Sequence, residues 1–501
     1  MHRSPLREEE PPRGVTPGLR VFVASACHAS GMPAVSGSVS APVDIVGEVS
    51  DVSLEPHRNA ASEPPRFAPP AGPIVGRVDR GVIRATGIPY ARASRFGPPA
   101  PVPDHDGVFE ATEWSPACPQ EPNPFLEDVL GTGFGELEGS EDCQNLSITL
   151  PLDIRPDERL PVMVWIHGGS YVQGAGDVAI MDPRFLVIEQ RVIVVSVTYR
   201  LGLFGYLGDA KGRPANLGLL DQVEAFRWVR RNIAAFGGDP DRVTAFGQSA
   251  GGDAVAHLMA TPDASSLFSR AIIQSAPLGI SRKRDRMNAA MSRAAEVVTG
   301  DMSWEEILEV QAAAEKSASR FGLLGGMPFG TQYGHTPLPD EKDVDEVWSA
   351  VAPRIDILIG HTSEEARLFA HRVPALDRMF RIPVLGRGLE AAMVAIATRA
   401  VYSWSNARFA KRHARAGGRA HSYVLSWSAP GNPYGSAHTI DLPMLFGDEA
   451  TWKPASLLKG ASWDDIRTSG EQVRRVWADF ARGELGESGR IPNTLTYRRL
   501  P

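Results

Sequence analysis

At 501 residues, with 43% hydrophobic and 22% charged residues, the chain has the composition of a globular protein, long enough for one large domain or two to three ordinary ones. The formal net charge of −7 gives no electrostatic reason to expect a nucleic-acid partner, and no apolar run approaches the roughly 18–20 residues that span a bilayer. Three cysteines, Cys27, Cys118 and Cys143, form no disulfide framework and stand at no metal-ligand spacing.

Residues 1–72 are rich in Pro, Ser, Ala and Gly, as in "REEEPPRG" and "ASEPPRFAPPAGP", and lack sustained periodicity, so they read as a disordered tail. The competing reading is an export signal ending near "VFVASAC" or "SVSA". Three consecutive glutamates, a short apolar stretch and His28 speak against it. The expected location is therefore cytoplasmic, with secretion following only if that segment is a signal. One domain is expected over residues 73–501.

From Pro73 the texture becomes regular. "IVGRVDRGVIRATGIPYA" reads as short strands of an antiparallel edge. "LPVMVWI" (160–166) and "RVIVVSVTY" (191–199) have the length and β-branching of fully buried strands. "GLLDQVEAFRWVRRNIAAFGG" (218–238) sets Leu219, Leu220, Val223, Phe226, Val229 and Ile233 on one helical face and stops at paired glycines. "RVTAF" (242–246) is the next strand, and the helix "AGGDAVAHLMA" follows it directly. "RAIIQSA", "RIDILIG" and "AHSYVLSW" read as further strands, and "SGEQVRRVWADFARG" (469–483) as the final helix. Buried strands alternating with amphipathic helices predict an α/β fold, a mainly parallel sheet covered on both faces. The mixed segment 276–350 is expected to cap the strand ends.

Ser249 stands in "GQSAGG", between Gly247 and Gly251, where a strand hands over to a helix. In a chain with 49 glycines the bare G-x-S-x-G pattern also arises by accident, as a glycine-rich turn without chemistry. The strand-to-helix junction is the context a nucleophilic serine requires: the tight turn exposes the hydroxyl and leaves the Ala250 N–H free at a helix N-terminus. A serine attacking a carbonyl also needs preorganised donors for the oxyanion. "VWIHGGSYVQG" offers them, because a buried strand ends at His167-Gly168-Gly169 and the missing side chains let the Gly168 and Gly169 N–H groups approach a substrate oxygen.

With these residues in place, the chain from about residue 75 to its C-terminus resembles the type-B carboxylesterase family of the α/β-hydrolases, the branch that includes bacterial esterases and cholinesterases. The resemblance is carried by "GIPYA", "EDCQNLSI", "WIHGGSYVQG", "VTYRLGLFGYLG", "NLGLLDQVEAFRWVRRNIAAFGGDPDRVTAFGQSAGG" and "RAIIQSA". It implies the α/β-hydrolase fold, a serine mechanism and carboxylic-ester substrates. It calls for no cofactor and no metal, and its partner is a small-molecule ester.

In such a fold the triad runs serine, acid, histidine along the chain. The histidines beyond residue 360 are His361, His371, His413, His421 and His438. His438, in "GNPYGSAHTIDLPMLFGD", resembles the family's histidine loop. His421, opening a strand, is its rival; His413, beside Lys411, Arg412 and Arg415, is expected in solvent. In the family the acid follows a strand-end glycine by five positions in a G-x-x-x-[DE]-E-G pattern, which in "RIDILIGHTSEEARLFA" implies Glu365. Ala366 replaces the family's glycine, and a one-residue offset would select Glu364. Ser275 in "IIQSA" matches a family serine that supports the acid.

Cys118 and Cys143 correspond to a cysteine pair that flanks a choline-binding tryptophan in cholinesterases, and could form a disulfide in an oxidising compartment. The segment between them contains no tryptophan, and Gln248 stands where cholinesterases carry glutamate. Both departures favour a general bacterial-type esterase over a choline esterase. "GTGFGE" in that segment has no strand before it and no helix after it, so it reads as a loop near the pocket rim rather than a dinucleotide site. The alternatives are a lipase, amidase or carbamate hydrolase with the same triad, or a catalytically silent binding relative.

Overall fold

The computed structural model describes residues 63–131, 137–155, 157–209, 211–370, 374–380, 382 and 385–501. Its frame is an 11-stranded sheet. In chain order the strands are β1 (Arg77–Asp79), β2 (Val82–Pro89), β3 (Asn145–Pro151), β4 (Leu160–Ile166), β5 (Ile193–Val197), β6 (Gly238–Gln248), β7 (Arg270–Gln274), β8 (Asp356–Thr362), β9 (Ala420–Leu425), β10 (Ser488–Ile491) and β11 (Leu495–Arg499). Across the sheet they lie in the order β10-β11-β9-β8-β7-β6-β4-β5-β3-β2-β1. The central strands β5, β4, β6, β7, β8 and β9 run parallel. Antiparallel strands close both edges, with β3 on β5 at one end and β11 on β9 at the other.

The apolar run "LPVMVWI" explains the centre. β4 is buried at every position, and its alternation sends Val162, Val164 and Ile166 into one core and Met163 and Trp165 into another. A strand with two buried faces needs helices on both sides of the sheet. On the first face lie α1 (Leu217–Asn232) and α2 (Ala250–Leu258), contributing Leu219, Val223, Phe226 and Val255. On the second lies α8 (Trp463–Arg482), contributing Val473 and Trp477. Between β7 and β8 the chain forms α3 (Asp285–Ala294), α4 (Trp304–Ala318) and α5 (Val344–Val351). α5 is tied to α2 by Trp348 Nε1–H donating to the Ala256 carbonyl at 2.7 Å. Between β8 and β9 come α6 (Gly386–Thr398), a π-helical turn (Arg399–Ser403) and α7 (Trp404–Arg415).

Several boundaries differ from the sequence reading. Regular structure begins before Pro73, because Arg66–Phe67 pairs with Ile74–Val75. β6 extends back to Gly238, which pairs with Leu160 across a register shift. α8 starts at Trp463 because the Ser462 side chain caps it by accepting the Asp465 N–H. The hairpin β10–β11 follows it, its strands pairing antiparallel from Ser488–Arg498 to Ile491–Leu495. His413 is buried rather than solvated, since helical periodicity turns it inward from Lys411, Arg412 and Arg415. Its Nε2–H donates to the Ile355 carbonyl at 2.8 Å, and burial pushes the imidazole down to about 4.

The register brings the C-terminal ends of the parallel strands to one edge, with Gln248 opposite Gln274 and Gln274 opposite Gly360. Gly168, Ser249, Ser275 and Glu365 each lie just beyond a strand at that edge. Such ends are where α/β sheets hold their ligands.

Candidate active site

Ser249 is the single residue between β6 and α2, with φ 59° and ψ −123°. A non-glycine residue held there costs on the order of 1–3 kcal/mol. The turn is too tight for side chains at its flanks: a Cβ on Gly251 would lie 2.0 Å from the Ile166 carbonyl oxygen. The Ser249 N–H donates to the Gln274 carbonyl at 2.9 Å, which fixes the turn to the neighbouring strand. The side chain is half-buried.

His438 reaches the serine from the loop after β9. The Ser249 hydroxyl is 2.8 Å from His438 Nε2, and His438 Nδ1 is 2.5 Å from Glu365 Oε2. A carboxylate only accepts, so Nδ1 carries the proton and Nε2 is free to accept from the hydroxyl. Glu365 Oε1 accepts the Thr362 N–H at 2.7 Å, which fixes the carboxylate plane. Burial by itself pushes the Glu365 carboxyl up, but the His438 ring and its hydrogen bond outweigh it, and the group lies below its ordinary value. Ser275 is buried beside the carboxylate and counts among the groups that hold it down, without a hydrogen bond of full geometry. The rings of Tyr402 and Phe369 flank His438 at centroid distances of 5.4 and 5.7 Å.

The rival residues point elsewhere. Glu364 accepts the Ser436 N–H at 3.0 Å and pairs with Arg367 at 2.7 Å. His421 Nε2 faces the Gly486 carbonyl at 3.2 Å, and His361 Nδ1 the Thr362 carbonyl at 2.8 Å. His371 lies outside the described residues.

Gly168 and Gly169 follow β4 beside the serine. A Cβ on Gly168 would lie 2.7 Å from the Gln248 carbonyl oxygen and 3.2 Å from Ser249 Cβ, and Gly169 takes φ 107°. Among the described residues, the N–H groups of Gly168, Gly169 and Ala250 donate to no protein acceptor. His167 points its Nδ1–H at the Gly168 carbonyl at 2.8 Å, and burial pushes its imidazole down to about 4. It is neutral and shapes the loop.

Cys118 and Cys143 are both buried as free thiols, and Cys118 Sγ accepts the Leu201 N–H at 3.3 Å. Residues 132–136, most of "GTGFGE", lie outside the described residues, among which no cluster of metal-type ligands occurs. Three contributors were not singled out in the sequence: Tyr402, Phe369, and the pair Tyr171–Asp253, whose hydroxyl and carboxylate meet at 2.7 Å. Only their nearness to "HGG" and "GQSAGG" could have marked the last two.

The carboxylesterase family matches residues 67–379. The chain is 39% identical to a probable N-octanoylanthranilate hydrolase of Rhodococcus erythropolis over 82% of its length and 91% of that protein. It is 33% identical to the para-nitrobenzyl esterase of Bacillus subtilis (strain 168), over 82% and 88%. Among solved structures, a thermophilic PNB esterase superposes with a TM-score of 0.72 at 27% identity, covering 87% of this chain and 97% of that one. The Geobacillus stearothermophilus carboxylesterase EST55 gives 0.65 at 27% identity, over 85% and 92%. The chain thus belongs to the carboxylesterase family and is a carboxylic-ester hydrolase with the α/β-hydrolase fold.

Proposed function

We propose that Ser249, His438 and Glu365 form the catalytic triad, and that the N–H groups of Gly168, Gly169 and Ala250 form the oxyanion hole. The observation that carries this reading is the unbroken chain Ser249 Oγ–His438 Nε2 at 2.8 Å and His438 Nδ1–Glu365 Oε2 at 2.5 Å. His438 takes the hydroxyl proton as Ser249 attacks the ester carbonyl, and Glu365 holds the ring tautomer and stabilises the imidazolium. The oxyanion accepts from these N–H groups, which have no acceptor in the protein among the described residues. Collapse expels the alcohol, which takes its proton from His438 Nε2. Water then attacks the acyl-serine by the reverse route. Mutating Ser249 to alanine should lower kcat by at least roughly a thousandfold while the fold is retained; an alanine variant with wild-type turnover would overturn the assignment.

The rings of Tyr402 and Phe369 flank His438, each tilted to its imidazole, and aromatic surface beside the residue that protonates the alcohol suits an aromatic leaving group. We therefore propose esters of aromatic alcohols as the preferred class. The names of the relatives, para-nitrobenzyl esterase and N-octanoylanthranilate hydrolase, support an aromatic group. They also favour a second reading, cleavage of N-acyl aromatic compounds by the same triad. Comparing phenyl, benzyl and ethyl esters of one acid with the matching anilide tests both. Higher kcat/KM for the aromatic esters is expected; an optimum on long-chain aliphatic esters would point to a lipase instead.

A further inference from the structure

The two halves of the oxyanion hole stand on different segments, Gly168 and Gly169 on the loop after β4 and Ala250 on α2. Resting on that reading of the hole, we propose that Asp253 is a positioning residue that, through the Tyr171 hydroxyl, holds the two halves at their working separation.

The loop needs holding. Gly169, Ser170 and Tyr171 take successive φ values of 107°, 55° and 63°, a conformation that L side chains resist. Tyr171 is 0% exposed. Its ring centroid lies 4.4 Å from that of Tyr206, and its carbonyl accepts the Gly202 N–H at 2.7 Å. The Tyr171 hydroxyl donates to Asp253 Oδ2, also at 2.7 Å. Asp253 in turn lies one helical turn beyond the serine, and its N–H donates to the Ser249 carbonyl at 2.9 Å. A path of two hydrogen bonds thus runs from the serine backbone to the loop that carries Gly169.

The charge on Asp253 is managed. Burial pushes its carboxyl up, but His257, Ser281 and Tyr171 outweigh this, and the group stays ionised. A bare carboxylate in the first turn of α2 would oppose a nearby oxyanion. Here Oδ1 accepts the Ser281 hydroxyl at 2.5 Å, His257 Nδ1 lies 3.3 Å from Oδ2, and the buried Arg284 guanidinium adds an opposing charge. The negative charge is spent on these partners, and the N–H groups at the helix start remain available.

Tyr171→Phe removes one hydroxyl and keeps the ring packing. The expected result is a fall in kcat of about tenfold, with KM changed less than twofold. Affinity for a trifluoromethyl ketone, whose adduct places an oxyanion in the hole, should fall by a similar factor. Asp253→Asn, a weaker acceptor of the same shape, should shift both in the same direction. Ser281→Ala removes another bond of the same carboxylate without touching the loop, and its losses in both should be clearly smaller than those of Tyr171→Phe. Wild-type kcat and ketone affinity in Tyr171→Phe would overturn the proposal, as would an equal loss in Ser281→Ala. A wild-type protein that the ketone does not inhibit would overturn the oxyanion-hole reading itself, and the tether with it.

Discussion

Glu364 and Glu365 are adjacent in sequence and face opposite ways. Glu365 is fully buried and meets His438, whereas Glu364 turns outward to Arg367 and the Ser436 N–H. Thr362 N–H decides which is which, because it holds Glu365 Oε1 at the end of β8.

The pair is separable by mutation. Glu365→Gln keeps the shape, but its amide can present a donor to Nδ1 and so favour the wrong imidazole tautomer; kcat should fall by roughly a thousandfold or more. Glu364→Gln, at a partly exposed ion pair, should leave kcat within about threefold and stability within about 1 kcal/mol. Steady-state kinetics on one p-nitrophenyl ester checks both. Equal losses in the two variants would contradict the assignment.

Gly168→Ala tests the oxyanion side. The added methyl would press on the Gln248 carbonyl at 2.7 Å and on Ser249 Cβ at 3.2 Å. The loop must move away from the serine, and kcat should fall by on the order of a hundredfold, with thermal unfolding checked in parallel. Unchanged turnover would remove Gly168 from the hole.

Asp441, three residues beyond His438, lies buried with Oδ2 accepting from Gln274 Nε2 at 2.8 Å and Oδ1 unpartnered. Burial, with Glu365 nearby, pushes it up to about 6 from an ordinary 3.8. The folded-state value lies above the unfolded one. Its favourable contribution is therefore complete below about 4 and is lost as pH rises through about 6. Asp441→Asn imitates the protonated form, so its stability relative to wild type should be greater at pH 8 than at pH 4, by about 3 kcal/mol. Urea unfolding at the two values measures this; an identical difference at both would contradict it.

Much of this site was legible in the sequence because its parts sit at strand ends. A buried run followed by "HGG", and another followed by "GQSAGG", mark the edge of a parallel sheet without any knowledge of contacts. His438 and Glu365 were reached through resemblance, and the choice between Glu364 and Glu365 was invisible until side-chain direction was known. Tyr171 and Asp253 are 82 positions apart and leave no periodic signal. His413 misled because its sequence neighbours are cationic while its helical face is apolar. The hairpin β10–β11 carries little sequence signal because its strands are short, with mixed exposure. Its turn residues, Pro492 and the left-handed Asn493 at φ 57°, were the available cue.

The proposed role of Ser249 as the nucleophile of this ester hydrolase can be read out covalently. Incubating the protein with a fluorophosphonate and mapping the adduct by peptide mass spectrometry tests it most directly. One adduct is expected, on Ser249, whose formation parallels loss of esterase activity and is absent after Ser249→Ala. An adduct on another residue, or full inactivation with Ser249 unmodified, would contradict it.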